Sequence, residues 1–128
     1  MVITDKKGLI QAGILDTVES SLKEAGIAVN VFSDVEENPS VETVHAAGEL
    51  LKKGGYKLVI GLGGGSSIDT AKCASIVATN PGSIIDYEGI KKVGLGRTAM
   101  MTVGAVSIEM VLGTALAFYL IASFVCRG

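Results

Sequence analysis

The amino-acid sequence predicts an α/β fold in which a Rossmann-like parallel sheet is flanked by helices. Short β-branched stretches alternate with longer amphipathic stretches along residues 1–92. A glycine-rich turn, Gly61-Leu62-Gly63-Gly64-Gly65-Ser66, follows one of the apolar stretches directly and opens into a helical pattern. A strand, a glycine turn and a helix start in succession form an arrangement in which backbone amides can hold a phosphate.

The first two predicted strands enclose one predicted helix. Met1–Thr4 is predicted to be a buried strand, and the β-branched stretch Ile27–Phe32 is predicted to be the second. The helix is predicted from apolar residues at helical spacing, which are Leu15, Val18 and Leu22. Gly26 is placed to end this helix.

The second helix and the third strand lead to the glycine turn. Ser40 is predicted to cap the second helix, and Gly54-Gly55 to end it. Its apolar face is predicted to be Val41, Val44, Ala47 and Leu51. Tyr56–Ile60 is the third predicted strand, and Ser67–Ala78 is the third helix. The inward face of the third helix is predicted to be Ile68, Ala71, Ser75 and either Ile76 or Ala78.

Three candidate binding segments follow these strands. Asp5, Asn38 and the glycine turn come after the first, second and third strands, so parallel pairing would bring them to one rim of the sheet. The amides of Gly64 and Gly65 and the hydroxyl of Ser66 would hold a diphosphate there. Asp5 would accept hydrogen bonds from ribose hydroxyls and repel a 2′-phosphate, or it would cap the following helix.

Charge and cysteine content narrow the functional classes. The 128 residues carry a formal net charge of −2, so the sequence predicts no binding to nucleic acid. The two cysteines, Cys73 and Cys126, are far apart and match no zinc or redox spacing. Reduced thiols and a start without a signal peptide predict a cytoplasmic protein.

The end of the chain differs in character from the rest. The mean hydropathy of +0.51 is high for a soluble domain, and the excess lies in the uncharged stretch Met110–Cys126. This stretch is barely long enough to cross a membrane, so a buried helix or strand pair is preferred to a membrane span. A truncated or frame-shifted terminus would also explain it.

Four ordered elements of the sequence resemble one enzyme family. The longest, Gly63-Gly64-Gly65-Ser66-Ser67-Ile68-Asp69-Thr70-Ala71-Lys72, matches the cofactor motif of that family throughout. The others, at fitting spacing, are Ile3-Thr4-Asp5-Lys6, Glu37-Asn38-Pro39-Ser40 and Thr79-Asn80-Pro81-Gly82. With these elements, residues 1 to about 92 resemble the cofactor half of the iron-containing (group III) alcohol dehydrogenases.

The resemblance implies a fold and a set of cofactor contacts. The fold would be the N-terminal domain of the dehydroquinate synthase-like, iron alcohol dehydrogenase type, present incompletely. The cofactor would be NAD, with NADP less favoured. Asn38 would lie near the nicotinamide, or would be a turn residue before Pro39. Thr102, in the weakly matching part, would contact phosphate or nicotinamide, or would be an ordinary strand-end threonine.

The resemblance also implies a metal that this chain is not expected to hold. In the family, Fe²⁺ or Zn²⁺ is held by one aspartate and three histidines of a helical second domain, whereas this sequence has one histidine, His45. Residues 1–92 are therefore predicted to be an NAD(P)-binding domain, residues 93–128 a divergent apolar segment, and the metal-binding helical domain is predicted to be absent.

The predicted function is that of the cofactor-binding portion of an NAD(P)-dependent, metal-containing dehydrogenase that acts on an alcohol or aldehyde. The portion is expected to be inactive alone and to form a homo-oligomer. Three alternatives stay open: a non-catalytic nucleotide-binding module, a fragment that assembles with a partner, and a fragment of a glycerol dehydrogenase-like enzyme.

Overall fold

The structure, a computed structural model, describes residues 1–5, 13–88 and 101–105, and within them four parallel strands form one sheet. The strands are β1 (Val2–Asp5), β2 (Val31–Val35), β3 (Leu58–Leu62) and β4 (Met101–Ala105). The α-helices of the described residues are α1 (Ile14–Glu24), α2 (Val41–Gly54) and α3 (Gly65–Thr79), and a 3₁₀ turn follows at Ile84–Tyr87. The predicted parallel α/β fold is confirmed.

The helices divide between the two faces of the sheet. On one face, α1 buries Leu15, Val18 and Leu22 against Val2, Ile60 and Leu62. On the other face, α2 and α3 bury Ala47, Leu51, Ala71 and Ala74 against Ile3, Phe32 and Val59. The strand order is β2-β1-β3-β4, so the chain moves one way through α1 and the other way through α2 and α3. Crossovers of a single, right-handed sense place helices on opposite faces when the direction reverses.

The predicted starts of β2 and β3 are wrong for one shared physical reason. The helices before them end at glycines in the left-handed region, Gly26 (φ 74°) and Gly55 (φ 61°). The apolar residues that follow, Ile27 and Tyr56, donate their N–H groups back to Leu22 and Leu51 carbonyls at 2.9 and 3.4 Å. In this helix ending the apolar residue after the glycine packs on its own helix. These residues therefore complete the helices, and the strands begin later.

The predicted end of β3 is also wrong, because Gly61 belongs to the strand. Gly61 pairs with Ile3 of β1 and with Gly104 of β4. A Cβ at this position would lie 2.9 Å from the Cα of Ile68 and 3.1 Å from the Cβ of Ala71. The glycine is thus required by the close approach of α3 to the sheet.

The predicted inward face of α3 is partly wrong. Ile68, Ile76 and Ala78 are half-buried, and the buried residues are Ser67, Thr70, Ala71, Ala74, Ser75 and Val77. Small side chains occupy this face because α3 lies close to both the sheet and α2. A Cβ on Gly48 of α2, for example, would lie 2.7 Å from a methyl carbon of Val77.

The predicted cap and core of α2 agree with the structure. The hydroxyl of Ser40 accepts a hydrogen bond from the Thr43 N–H at 3.2 Å. Val44, Ala47 and Leu51 are buried, and Val41 is half-buried.

Gly61→Ala is expected to lower the free energy of unfolding by about 1–3 kcal/mol, because an added methyl group overpacks the contact between β3 and α3. Gly65→Ala is the matched control, since its Cβ would meet nothing within 4 Å, and its stability should be unchanged or slightly raised. Urea unfolding curves measure both. Equal stability of Gly61→Ala and the wild-type chain would contradict the close approach.

Candidate nucleotide-binding site

The gap between β1 and β3 is the point at which the strand order reverses, and ligands of open α/β sheets bind at such points. A cavity of about 610 Å³ opens at the carboxyl ends of these strands. Asp5 comes from the end of β1, Asp34, Val35, Glu36 and Glu37 come from β2 and the turn after it, and Gly64, Ser66 and Ser67 come from the start of α3.

The glycines between β3 and α3 serve different purposes. Gly63 has φ 132°, a backbone conformation that side chains strongly disfavour. Gly64 and Gly65 lie outside the positive-φ region, and a Cβ on either would meet nothing within 4 Å. The fold of the chain therefore requires glycine at 63 but not at 64 or 65. The open space beside these two residues suits a ligand that approaches the backbone closely.

The start of α3 borders the cavity: Gly64, Ser66 and Ser67 line it, whereas Gly65 is not among the lining residues. The N-cap of α3, Gly64, makes no side-chain capping bond, and the helical hydrogen bonds begin with the Ile68 N–H to the Gly64 carbonyl at 3.2 Å. The N–H groups of Gly65, Ser66 and Ser67 consequently have no acceptor within the helix. Together with the positive end of the helix dipole, they favour an anion.

Asp5 lies on the same rim as the start of α3. It is the last residue of β1, one position beyond Thr4, which pairs with Leu62. Its side chain is half-buried and lines the cavity with Gly64 and Ser66, so the structure brings these predicted residues together. The N-cap of α1 is Gly13, so Asp5 does not cap that helix.

Asn38 lies in the exposed turn between β2 and α2. Its φ is 55°, a left-handed conformation that asparagine tolerates better than most residues. Its neighbours Glu36 and Glu37 line the cavity, whereas Asn38 is not among the lining residues. The backbone therefore supplies one reason for asparagine here, and contact with a cofactor stays a prediction.

Thr102 lies in β4, directly opposite Val59 of β3. Val59 is three residues before Leu62, the end of β3, which is about 10 Å along an extended strand. The register therefore does not bring Thr102 to the rim where Asp5 and Gly64 lie, and its cofactor contact stays a prediction without support from this geometry.

Glu36 is a residue of this rim that the sequence analysis missed. Its carboxylate accepts hydrogen bonds from the Ser40 N–H and the Thr43 hydroxyl, both at 2.8 Å. These bonds, the Ser40 N–H foremost, lower the pKa of Glu36 from its usual 4.5 to about 2. They tie the turn after β2 to the first turn of α2. A carboxylate four residues before the predicted cap Ser40 was the available signal.

The contacts of His45 and the burial of Cys73 are those of structural residues. The Nε2 atom of His45 accepts a hydrogen bond from the Ile84 N–H at 3.1 Å, which joins the 3₁₀ turn to α2. Cys73 is a half-buried free thiol whose pKa is raised by burial. Among the described residues, no three side chains of histidine, cysteine, aspartate or glutamate come together in a way that could hold a metal ion.

The predictions for the apolar end fall outside the described residues. Neither Met110–Cys126 nor the thiol of Cys126 is described. In the part of the chain that the structure does describe, no helix is both long enough and apolar enough to cross a bilayer.

The structure defines a doubly wound sheet with a cavity at the start of α3. Comparisons with known proteins identify the family. A model of the family described as iron-containing alcohol dehydrogenase matches residues 1–115. The chain belongs to this family, as the four ordered elements of its sequence predicted. The match continues past residue 92 and includes β4.

Known relatives are enzymes of greater length. Choline dehydrogenase of Bacillus subtilis (strain 168) is 48% identical over 88 residues, which cover 69% of this chain and 22% of that enzyme. Long-chain-alcohol dehydrogenase 1 of Geobacillus thermodenitrificans (strain NG80-2) is 36% identical over 116 residues, which cover 86% of this chain and 29% of that enzyme. The chain thus spans less than a third of either relative.

A solved structure shares the fold. The NADH-dependent butanol dehydrogenase A of Thermotoga maritima superposes with a TM-score of 0.71 at 31% sequence identity, covering 84% of this chain and 26% of the other.

Glu36→Gln is expected to destabilise the chain near neutral pH and to have little effect in acid. The folded pKa lies below the usual value, so the carboxylate stabilises the fold above about pH 4.5 and loses that effect as the pH falls towards 2. The urea midpoints of the wild-type chain and Glu36→Gln, measured from pH 7 to pH 3, should move closer together as the pH falls. Glu37→Gln is the control, and a constant difference for Glu36→Gln across this range would contradict the assignment.

Proposed function

We propose that this chain binds NAD⁺ at the start of α3 and forms the cofactor-binding portion of an NAD-dependent alcohol dehydrogenase. The observation that carries the proposal is the open space beside Gly64 and Gly65, where the fold itself does not require glycine. Family membership and the NADH dependence named for the butanol dehydrogenase of similar fold support the choice of cofactor.

In the proposed complex, the pyrophosphate lies against the N–H groups of Gly65 and Ser66 and accepts a hydrogen bond from the Ser66 hydroxyl. Backbone amides and the helix dipole replace cationic side chains, since no lysine or arginine is among the described residues that line the cavity. Glu36 stays negatively charged because its pKa is lowered. Its carboxylate oxygens are held against the Ser40 N–H and the Thr43 hydroxyl at the start of α2.

Asp5 would select between the two nicotinamide cofactors. Its carboxylate can accept hydrogen bonds from both hydroxyls of the adenosine ribose. A 2′-phosphate in the same place would face Asp5 and the nearby carboxylates of Asp34 and Glu37, which also line the cavity. Repulsion between these carboxylates and the 2′-phosphate disfavours NADP⁺.

The proposed role of the chain is to bind and orient the cofactor. Bound NAD⁺ supplies a hydride acceptor, and the protein places it against the alcohol carbon. The described residues offer no metal site, and the sequence has one histidine where the family resemblance implies three. We therefore propose that this chain binds and orients the cofactor, and we assign no metal ligand to its described residues.

Calorimetry of the wild-type chain should show saturable NAD⁺ binding, and Gly64→Ala, at a glycine that lines the cavity, should weaken it about tenfold or more. The added methyl group would occupy the space proposed for the pyrophosphate and lengthen hydrogen bonds to a charged acceptor. Thermal unfolding without ligand checks that the variant remains folded.

The same titrations test whether this chain holds the metal. Added Fe²⁺ or Zn²⁺ should leave the NAD⁺ affinity of this chain unchanged, because no metal ligand is assigned to its described residues. Metal-dependent NAD⁺ binding, or oxidation of an alcohol by this chain alone, would contradict that assignment. Absence of NAD⁺ binding by the folded wild-type chain would overturn the proposed function.

Asp5→Asn is expected to shift the preference towards NADP⁺. Loss of the negative charge removes the repulsion of a 2′-phosphate and one strong acceptor for the ribose. The ratio of the Kd for NADP⁺ to the Kd for NAD⁺ should fall about tenfold. Asp16→Asn, an exposed carboxylate on α1, is the charge-matched control, and an equal shift in both variants would argue against a ribose contact.

A further inference from the structure

Ser67 has a buried hydroxyl without a hydrogen-bond partner. It is the third residue of α3, is 1% exposed, and lines the cavity at the carboxyl ends of β1 and β3. Its Oγ atom makes no hydrogen bond in the described structure. Buried hydroxyl groups are nearly always paired. Two are unpaired among the described residues, and only that of Ser67 belongs to a residue that lines the cavity, where a ligand could supply the partner.

Three other hydroxyls of the same helix are paired. Those of Thr70, Ser75 and Thr79 each donate to the carbonyl four residues earlier at 2.7 Å. The residue four before Ser67 is Gly63, which precedes the helix and has φ 132°. The Gly63 carbonyl therefore does not belong to the helix, whereas the carbonyls that accept from the other three hydroxyls do.

The surroundings of Ser67 define the chemistry of the missing partner. The N–H groups of Gly65, Ser66 and Ser67 are donors that no helical carbonyl satisfies. The missing partner must accept a hydrogen bond from the hydroxyl, and it would lie beside free amides at the positive end of a helix. An anionic oxygen suits this position best.

Building on the proposed function, we infer that the Ser67 hydroxyl donates a hydrogen bond to a phosphoryl oxygen of the bound dinucleotide. The glycine motif assigned this contact to Ser66, which is half-buried. Ser67 adds a second hydroxyl from the buried side of the cavity. The sequence alone did not distinguish Ser67 from a core residue.

Thr4 provides a matched control. Its hydroxyl is also unpaired, and its side chain is 0% exposed. Thr4 precedes Asp5 in β1 but is not among the residues that line the cavity. Loss of either hydroxyl removes an unpaired buried polar atom, so neither Ser67→Ala nor Thr4→Ala should lower the melting temperature of the ligand-free chain.

The test measures the affinity of the wild-type chain, Ser67→Ala and Thr4→Ala for NAD⁺ and for inorganic pyrophosphate by calorimetry, with the melting temperature of each ligand-free chain. Ser67→Ala should raise the Kd for both ligands about tenfold, as expected for loss of a hydrogen bond to a charged group. Thr4→Ala should bind both ligands as the wild-type chain does.

The outcomes separate this inference from the proposed function. If the wild-type chain binds NAD⁺ and Ser67→Ala binds it equally well, the inference is wrong and the proposed function stands. If the wild-type chain binds only pyrophosphate and Ser67→Ala weakens it, the contact is supported and the proposed function fails. Equal losses in Ser67→Ala and Thr4→Ala, or a wild-type chain that binds neither ligand, would overturn the inference.

Discussion

The close approach of α3 to β3 is the constraint on which the rest of this structure depends. Gly61 permits it, because any Cβ there would overlap the backbone of the helix at Ile68. The helix then starts directly above the end of β3, after a turn that needs the positive φ of Gly63. Its free amides consequently face the gap between β1 and β3. A helix set further from the sheet would not aim them there.

The lining of the cavity has two parts with opposite charge preferences. Amides at the start of α3 favour an anion, while Asp5 and the carboxylates after β2 favour hydroxyl groups and disfavour further negative charge. A dinucleotide presents both features, a pyrophosphate beside ribose hydroxyls. The hydrogen bonds that Glu36 accepts from Ser40 and Thr43 stabilise one side of this rim.

Much of the fold could be predicted because its signals are local. The Ser40 cap, the apolar spacing of α1 and the glycines after α1 and α2 all lie beside the structures that they determine. The strand starts could not be placed equally well. Ile27 and Tyr56 have the composition of strand residues, yet each packs back onto the helix that precedes it.

By itself, the sequence determined the family, the parallel α/β fold and the rim on which Asp5, Gly64 and Ser66 meet, because motif spacing and strand order suffice for these. Only the tertiary structure decided which side of α3 is buried, that Gly61 serves packing rather than a turn, and that Thr102 pairs with Val59. It also showed that the Ser67 hydroxyl has no partner. The reason is physical: burial, register and hydrogen bonding depend on residues distant in the chain, whose approach no local pattern specifies.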